Sequence, residues 1–291
     1  MNEKVRIITD SGSDISRELE KEWEKYLVIM PFNVYVNGKS YVDRKDFTED
    51  EFYKILRDNE EIPKHSQITQ IQFEEEYHKL YDEGAREIIV DVINAAGSQT
   101  YAQSVLAAES IKEELPDLKI YNVDSRSYTA GYGYAIIEAC KKLDDGQSAE
   151  SVVAYLKDWA LHVEAYVLGF SLRHMKKSGR ISAAAGFLGE LMGLKPLIVL
   201  HDKVTAVVKK ARGEKAIIDT AVEELSARMI PQTPYIVCTT TRPELDKEFI
   251  EKMTKKVGYP PAMITKIGVV VACNAGHDFI AVMIKGPEHN D

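Results

Sequence analysis

The sequence is poor in cysteine: three residues in 291, Cys140, Cys238 and Cys273, lie far apart with no CxxC pair. That spacing argues against a disulfide framework and against a cysteine zinc site. Positive charge is also in deficit, 37 Lys and Arg against 46 Asp and Glu, for a formal charge of −9. The balance disfavours nucleic acid and anionic membranes as partners and leaves at most transient membrane contact. No apolar run reaches the ~18–20 residues of a membrane span. The opening MNEKVRIITDSG enters a strand without the apolar core of a signal peptide, so a reducing cytoplasm is the expected compartment. The GxSxG elbow, HExxH, the Walker loop and the EF-hand loop are all missing. Gly131-Tyr132-Gly133 lacks the third glycine of a dinucleotide fingerprint and sits at a helix start.

What is present is a core. Hydrophobic residues make up 45% and charged residues 29%, enough for one large or two ordinary domains. VRIIT reads as a buried strand, with Asp14 or Ser13 as cap of a helix over 15–24. LVIMPFNVYV runs to Asn37-Gly38, a two-residue hairpin signal. Thr48 to Glu51 and Thr69 to Gln72 are capping boxes on either side of the loop IPKHSQIT. The strand REIIVDVI, a helix over about 99–115, the strand KIYNVDS and a helix over about 128–143 follow. Strands alternating with helices imply a mainly parallel sheet flanked by helices. The composition shifts near Asp144-Asp145-Gly146-Gln147, which puts a boundary near 160. Beyond it, PLIVL and VTAVVKK pair across His201-Asp202-Lys203, and TKIGVVVA and FIAVMIKG bracket the turn-rich CNAGHD as a second strand pair. The expected architecture is therefore α/β: a parallel-sheet domain over 1–160 and an α+β domain with a mostly antiparallel sheet over 161–291.

Four polar loops after strands are candidate ligand contacts, since open α/β sheets bind ligands at the carboxyl ends of their strands. They are Thr9 to Asp14, His65 to Thr69, Asn94 to Tyr101, and Val123-Asp124-Ser125. Each also has a plain structural reading as a turn, a solvated loop or a helix cap, with Ser98 as the cap in the third. Two basic clusters, Lys176 to Ser182 with Arg180 and Lys209 to Lys215 with Arg212, stand out on an acidic chain. They are either solvated faces or docking patches for an anionic group or a protein. Between them Phe187, Leu188, Leu191 and Met192 form an apolar stretch that reads as a core helix or as one wall of an apolar slot.

Taken in order, these segments resemble the DegV family of bacterial fatty-acid-binding proteins. The resemblance rests on Ile8-Thr9-Asp10-Ser11 with Asp14, then Ser66-Gln67, Ser98 with Thr100-Tyr101, and Val123-Asp124-Ser125 with Gly131 and Gly133. Gly179-Arg180-Ile181-Ser182, Lys195-Pro196 and Arg212-Gly213 continue the order. It implies two domains with one fatty acid buried between them, the carboxylate at the polar loops and the tail toward Phe187, Leu188, Leu191 and Met192. It also implies a carrier rather than an enzyme, with no cofactor or metal of its own. Such a carrier presents the carboxylate to a separate fatty acid kinase, which makes acyl phosphate from ATP. Arg212, then Arg180, are the residues expected to dock that kinase; Arg180 alternatively bonds backbone carbonyls.

The chain departs from the family at the head group. His65 and Ile68 stand for the threonine and proline of the Thr-Ser-Gln-Pro loop, Asn94 and Ala95 for paired serines, and Asn274-Ala275-Gly276-His277 for His-Thr-Gly-Pro. An imidazole is lost at 274 and one appears at 65. The expected head-group set is thus His65, Ser66, Asn94, Ala95, Ser98, Asn274 and Gly276. The competing reading is a metal-assisted hydrolase or transferase, which needs Asp10, Asp14 and Asp124 to converge on a cation.

Overall fold

The computed structural model describes residues 4–59, 61–179, 181–188 and 193–289. The chain opens on β1 (Val5–Asp10), the helix Arg17–Glu22 and β2 (Leu27–Met30). Pro31, with no N–H to give a ladder, follows the end of β2. β3 (Asn33–Val36) and β4 (Lys39–Val42) then form a hairpin, whose turn residues Asn37 and Gly38 both take positive φ, 50° and 76°. Thr48 and Thr69 cap the helices Glu49–Asp58 and Gln70–Asp82 in full capping boxes with Glu51 and Gln72. Between these helices lies β5 (Lys64–Ser66). β6 (Glu87–Val92), the helix Thr100–Ser110, β7 (Lys119–Asp124) and the helices Ala130–Asp144 and Ala149–His162 come next. Then follow β8 (Val163–Gly169), the helix Arg173–Ser178, β9 (Leu194–His201), β10 (Val204–Arg212) and the helix Glu214–Arg228. β11 (Tyr235–Thr239), the helix Pro243–Val257, β12 (Met263–Lys266), the helix Val269–Ala275 and β13 (Phe279–Lys285) complete the chain.

The strands make three sheets. β2-β1-β6-β7 is wholly parallel, as its βα alternation requires. β10-β9-β8-β13-β11-β12 is antiparallel except for the edge pair β11–β12. A small antiparallel sheet, β4-β3-β5, stands beside them.

The central strands β8 and β13 are buried on both faces, so apart from Glu164 in β8 and Lys285 at the end of β13 they are apolar runs. Alternation along each strand still decides which core a side chain enters. Ala165, Val167, Phe279, Ala281 and Met283 join the core shared with the parallel sheet. Tyr166, Leu168, Ile280, Val282 and Ile284 join a separate core with Ile217, Ile218 and Leu225 of the helix Glu214–Arg228.

Two expectations change. Ser16, not Ser13 or Asp14, caps the first helix, its Oγ accepting from Leu19 N–H. Ser13 belongs to a 3-10 turn capped by Asp10, and Asp14 takes φ 53°. More consequentially, Val269–Ala275 is helical, so TKIGVVVA is a strand followed by a helix. The β-branched run yields to burial: Val269, Val270, Ala272, Cys273 and Ala275 are all buried, and packing overrides intrinsic propensity. β12 accordingly pairs β11 in parallel, and β13 inserts between β8 and β11.

Gly131 and Gly133 have a packing role. A Cβ on Gly133 would collide with the Ser13 carbonyl oxygen, and one on Gly131 with the Ser127 hydroxyl. The helix Ala130–Asp144 therefore lies directly against the turn after β1.

Candidate functional site

The strand order β2-β1-β6-β7 brings the carboxyl ends of β1, β6 and β7 side by side. Their loops are stitched by acidic side chains, Asp10 buried and Asp124 half-buried. Asp10 is fully buried and accepts from Tyr132 Oη at 2.6 Å, Ile93 N–H at 2.7 Å and Gly12 N–H at 2.9 Å. Burial nevertheless pushes its carboxyl up to about 6, against those three bonds. Asp124 Oδ1 accepts from the amides of Ala95 and Arg126, both at 3.0 Å. Asp14 is buried and raised by burial, with the Gly268 amide acting the other way. Its carbonyl accepts from Thr265 Oγ1 at 2.9 Å. The three carboxylates thus serve three separate places, and no group of three or more metal-ligating side chains exists among the described residues. The metal-assisted reading has no constellation to support it.

A cavity of about 330 Å³ lies between these loops and the inner face of the six-stranded sheet, within the size range of small-molecule sites. Its sheet side is apolar: Ala165 and Val167 of β8, Leu200 of β9, and Phe279, Ala281 and Met283 of β13. The small residues Ala165 and Ala281 leave the space that larger side chains would fill. Val270 and Val271 of the helix Val269–Ala275 and Ile181 also line it.

Its polar lining includes His65, Ser98 and Asn274, with Thr129, Ser182, Asp202, Lys203 and Thr205 also bordering it. His65, Ala96, Gly97 and Ser98 also border a recess of about 370 Å³ that is lined further by Ser66, Gln67 and Gln99, so a polar recess adjoins the apolar cavity. β5 holds His65 opposite Val34, and Phe32 meets its ring edge-on at 5.4 Å. Asn274 Nδ2 and His65 Nε2 lie at hydrogen-bonding distance, 3.1 Å. The segment leading into the Asn274 helix is fixed by Tyr53 Oη, which donates to the Ile267 carbonyl at 2.6 Å. Ser98 is not the formal N-cap of the helix Thr100–Ser110, but its Oγ accepts from Thr100 N–H at 3.2 Å.

Other expected site residues lie elsewhere. Asn94 is buried but does not border the cavity: its amide donates to the Asp202 carbonyl at 2.7 Å and accepts from Ala96 N–H at 2.8 Å. Ala95 turns its N–H to Asp124, and its neighbours Ala96 and Gly97 line the cavity instead. Gly276, at φ 83°, packs under the His174 ring. Phe187 is buried in the shared core without bordering the cavity, and Leu188 is 81% exposed. The short apolar stretch therefore does not supply the slot through these two residues. Leu191, Met192 and Arg180 lie outside the described residues. Arg212 is exposed at the end of β10. The sheet-face wall went unread because β8 and β13, Glu164 and Lys285 apart, are apolar on both faces; the small residues Ala165 and Ala281 beside Val167 and Met283 were the available signal.

The comparisons with known proteins converge. The family model described as DegV, an uncharacterised protein family, matches residues 4–286. A DegV domain-containing protein of Clostridium perfringens is 28% identical over 97% of this chain and 98% of its own length. Among solved structures, a DegV lipid-binding protein from Thermotoga maritima superposes with a TM-score of 0.83 at 22% identity, over 99% of this chain and all of that one (100%). A stearic-acid-binding protein from Eubacterium ventriosum gives 0.84 at 22% identity, over 97% and 98%.

Proposed function

This chain belongs to the DegV family, and from that premise we propose that it is a carrier of one long-chain fatty acid. The observation that carries the reading is an apolar cavity between two sheets that shares four lining residues, His65, Ala96, Gly97 and Ser98, with a polar recess. Relatives of the same fold are described as binding fatty acids. The acyl tail lies along Ala165, Val167, Ala281 and Met283, and the carboxyl group meets His65, Ser98 and Asn274. In domain terms, the polar loops of residues 1–160 hold the head and residues 161–291 enclose the tail.

Burial of a tail gains ~0.8 kcal/mol per methylene, so fourteen methylenes gain about 11 kcal/mol before ordering costs. Affinity then comes from the tail and orientation from the head group. A buried carboxylate needs donors or it takes up a proton. The amide of Asn274, the hydroxyl of Ser98 and the imidazole of His65 are neutral partners suited to that task. Having no bond-making step of its own, the carrier offers the carboxylate to a separate ATP-dependent kinase that forms acyl phosphate, with Arg212 in the docking surface. The three buried thiols suit a reducing cytoplasm.

Mass spectrometry of organic extracts tests the reading. Purified protein should release one class of long-chain fatty acid in near-stoichiometric amount. The His65→Ala variant should retain less of it, by about tenfold in affinity for the loss of one charge-assisted contact. An extract without fatty acid, from protein that also fails to take up added palmitic acid, overturns the carrier reading.

A further inference from the structure

Asn94 stands among the loops that face the cavity, yet both ends of its side-chain amide are engaged. Oδ1 accepts from Ala96 N–H at 2.8 Å, a bond within its own loop. Nδ2 reaches out of the loop and donates to the Asp202 carbonyl at 2.7 Å. Asp202 and Lys203 form the turn between β9 and β10, and Asp202, Lys203, Val204 and Thr205 all line the cavity. Opposite them, Ala96, Gly97, Ser98 and Tyr128 line it from the loops after β6 and β7. A second bond spans the same gap, from Asp202 N–H to the Arg126 carbonyl at 3.1 Å.

The turn is a two-residue hairpin tip between β9 and β10, and the ring of His201 just before it stacks on His289 at 4.0 Å. Asp202 holds φ 42° and Arg126 φ 50°, a region that non-glycine residues enter at a cost. The bonds from Asn94 and to Arg126 help to hold this tip at the rim of the cavity, and the first depends on a single side chain. That side chain is fully buried, so water does not replace the bond when it is lost.

We propose that Asn94 is a positioning residue that latches the β9–β10 turn over the cavity and sets the rate at which an apolar guest exchanges. The inference rests on the carrier reading for the identity of the guest, but the latch itself does not. An alkyl guest touches the sheet wall whether the turn is pinned or free. Releasing the latch therefore accelerates entry and exit together and leaves equilibrium affinity nearly unchanged. Residues at the head group act in the opposite sense and change affinity.

The test uses Asn94→Ala in the full-length protein. The substitution removes the amide that reaches Asp202 and adds no charge to the buried position. Asn94→Ser, too short to span the gap, serves as the second variant. Two readouts are followed: stopped-flow release of cis-parinaric acid, and amide hydrogen exchange of residues 201–204. The expected result is about tenfold faster release and about tenfold faster exchange at Asp202 in both variants, with the dissociation constant within threefold of the original protein. Unchanged release and exchange in variants of native fold overturn the latch. Faster exchange in a protein that binds no fatty acid keeps the latch and overturns the carrier reading instead.

Discussion

Asp10 shows what one buried group contributes. Its three hydrogen bonds tie the end of β1 to the end of β6 and to the helix Ala130–Asp144. Burial raises its carboxyl from 3.8 to about 6 in spite of them, and the negative charge of Asp43 adds to the effect. The folded chain holds this proton up to about pH 6, whereas the unfolded chain releases it near 3.8. Between those values the folded state binds more protons, so this group's contribution to stability falls as pH rises from about 4 to about 6 and is level above. The shift corresponds to at most about 3 kcal/mol. Urea unfolding across that window should show a shallower decline in Asp10→Asn than in the original protein, and equal slopes would show that Asp10 does not carry this proton. At the same scale, one juxtaposition was readable from residues alone. The loss of an imidazole at 274 and its appearance at 65 mark two positions whose side chains the fold brings to 3.1 Å. Asn94 was misplaced because a residue's position in a loop does not say which way its amide reaches.

At the scale of elements, caps and turns were the most legible features. Thr48, Thr69 and Asn37-Gly38 act through bonds within a few residues, so no tertiary information was needed to read them. The run GVVVACNA was misread because its valines favour strands in isolation, while the helix it forms is buried against elements distant in sequence. β5 escaped notice because three residues carry no period. Gly133 tests whether close approach, rather than nucleotide binding, explains its helix. Gly133→Ala must displace the Ser13 backbone or the helix. The variant should lose about 1–3 kcal/mol, the usual cost of overpacking, measured as a lower urea midpoint. A midpoint equal to that of the original protein would mean that the turn after β1 yields freely.

For the whole molecule, the two large sheets face each other across one core and leave a cavity of about 330 Å³ between them. The general plan followed from βα alternation and from the apolar strands after residue 160. The cavity did not, because an empty space is set by the small side chains of several strands jointly. A surface role is a separate matter from the cavity. On the proposed function, Arg212→Ala should keep fatty-acid binding and reduce acyl-phosphate formation with a partner kinase by tenfold or more, and equal turnover would remove Arg212 from the proposed docking surface. The cavity itself is tested most directly by native mass spectrometry of the intact chain beside Ala281→Phe, which puts a large ring where Ala281 leaves room. The account predicts a mass increase of one fatty acid per chain in the original protein, and its loss, or a shift to a shorter acid, in the folded variant. An adduct of the same mass and occupancy in both proteins would contradict it.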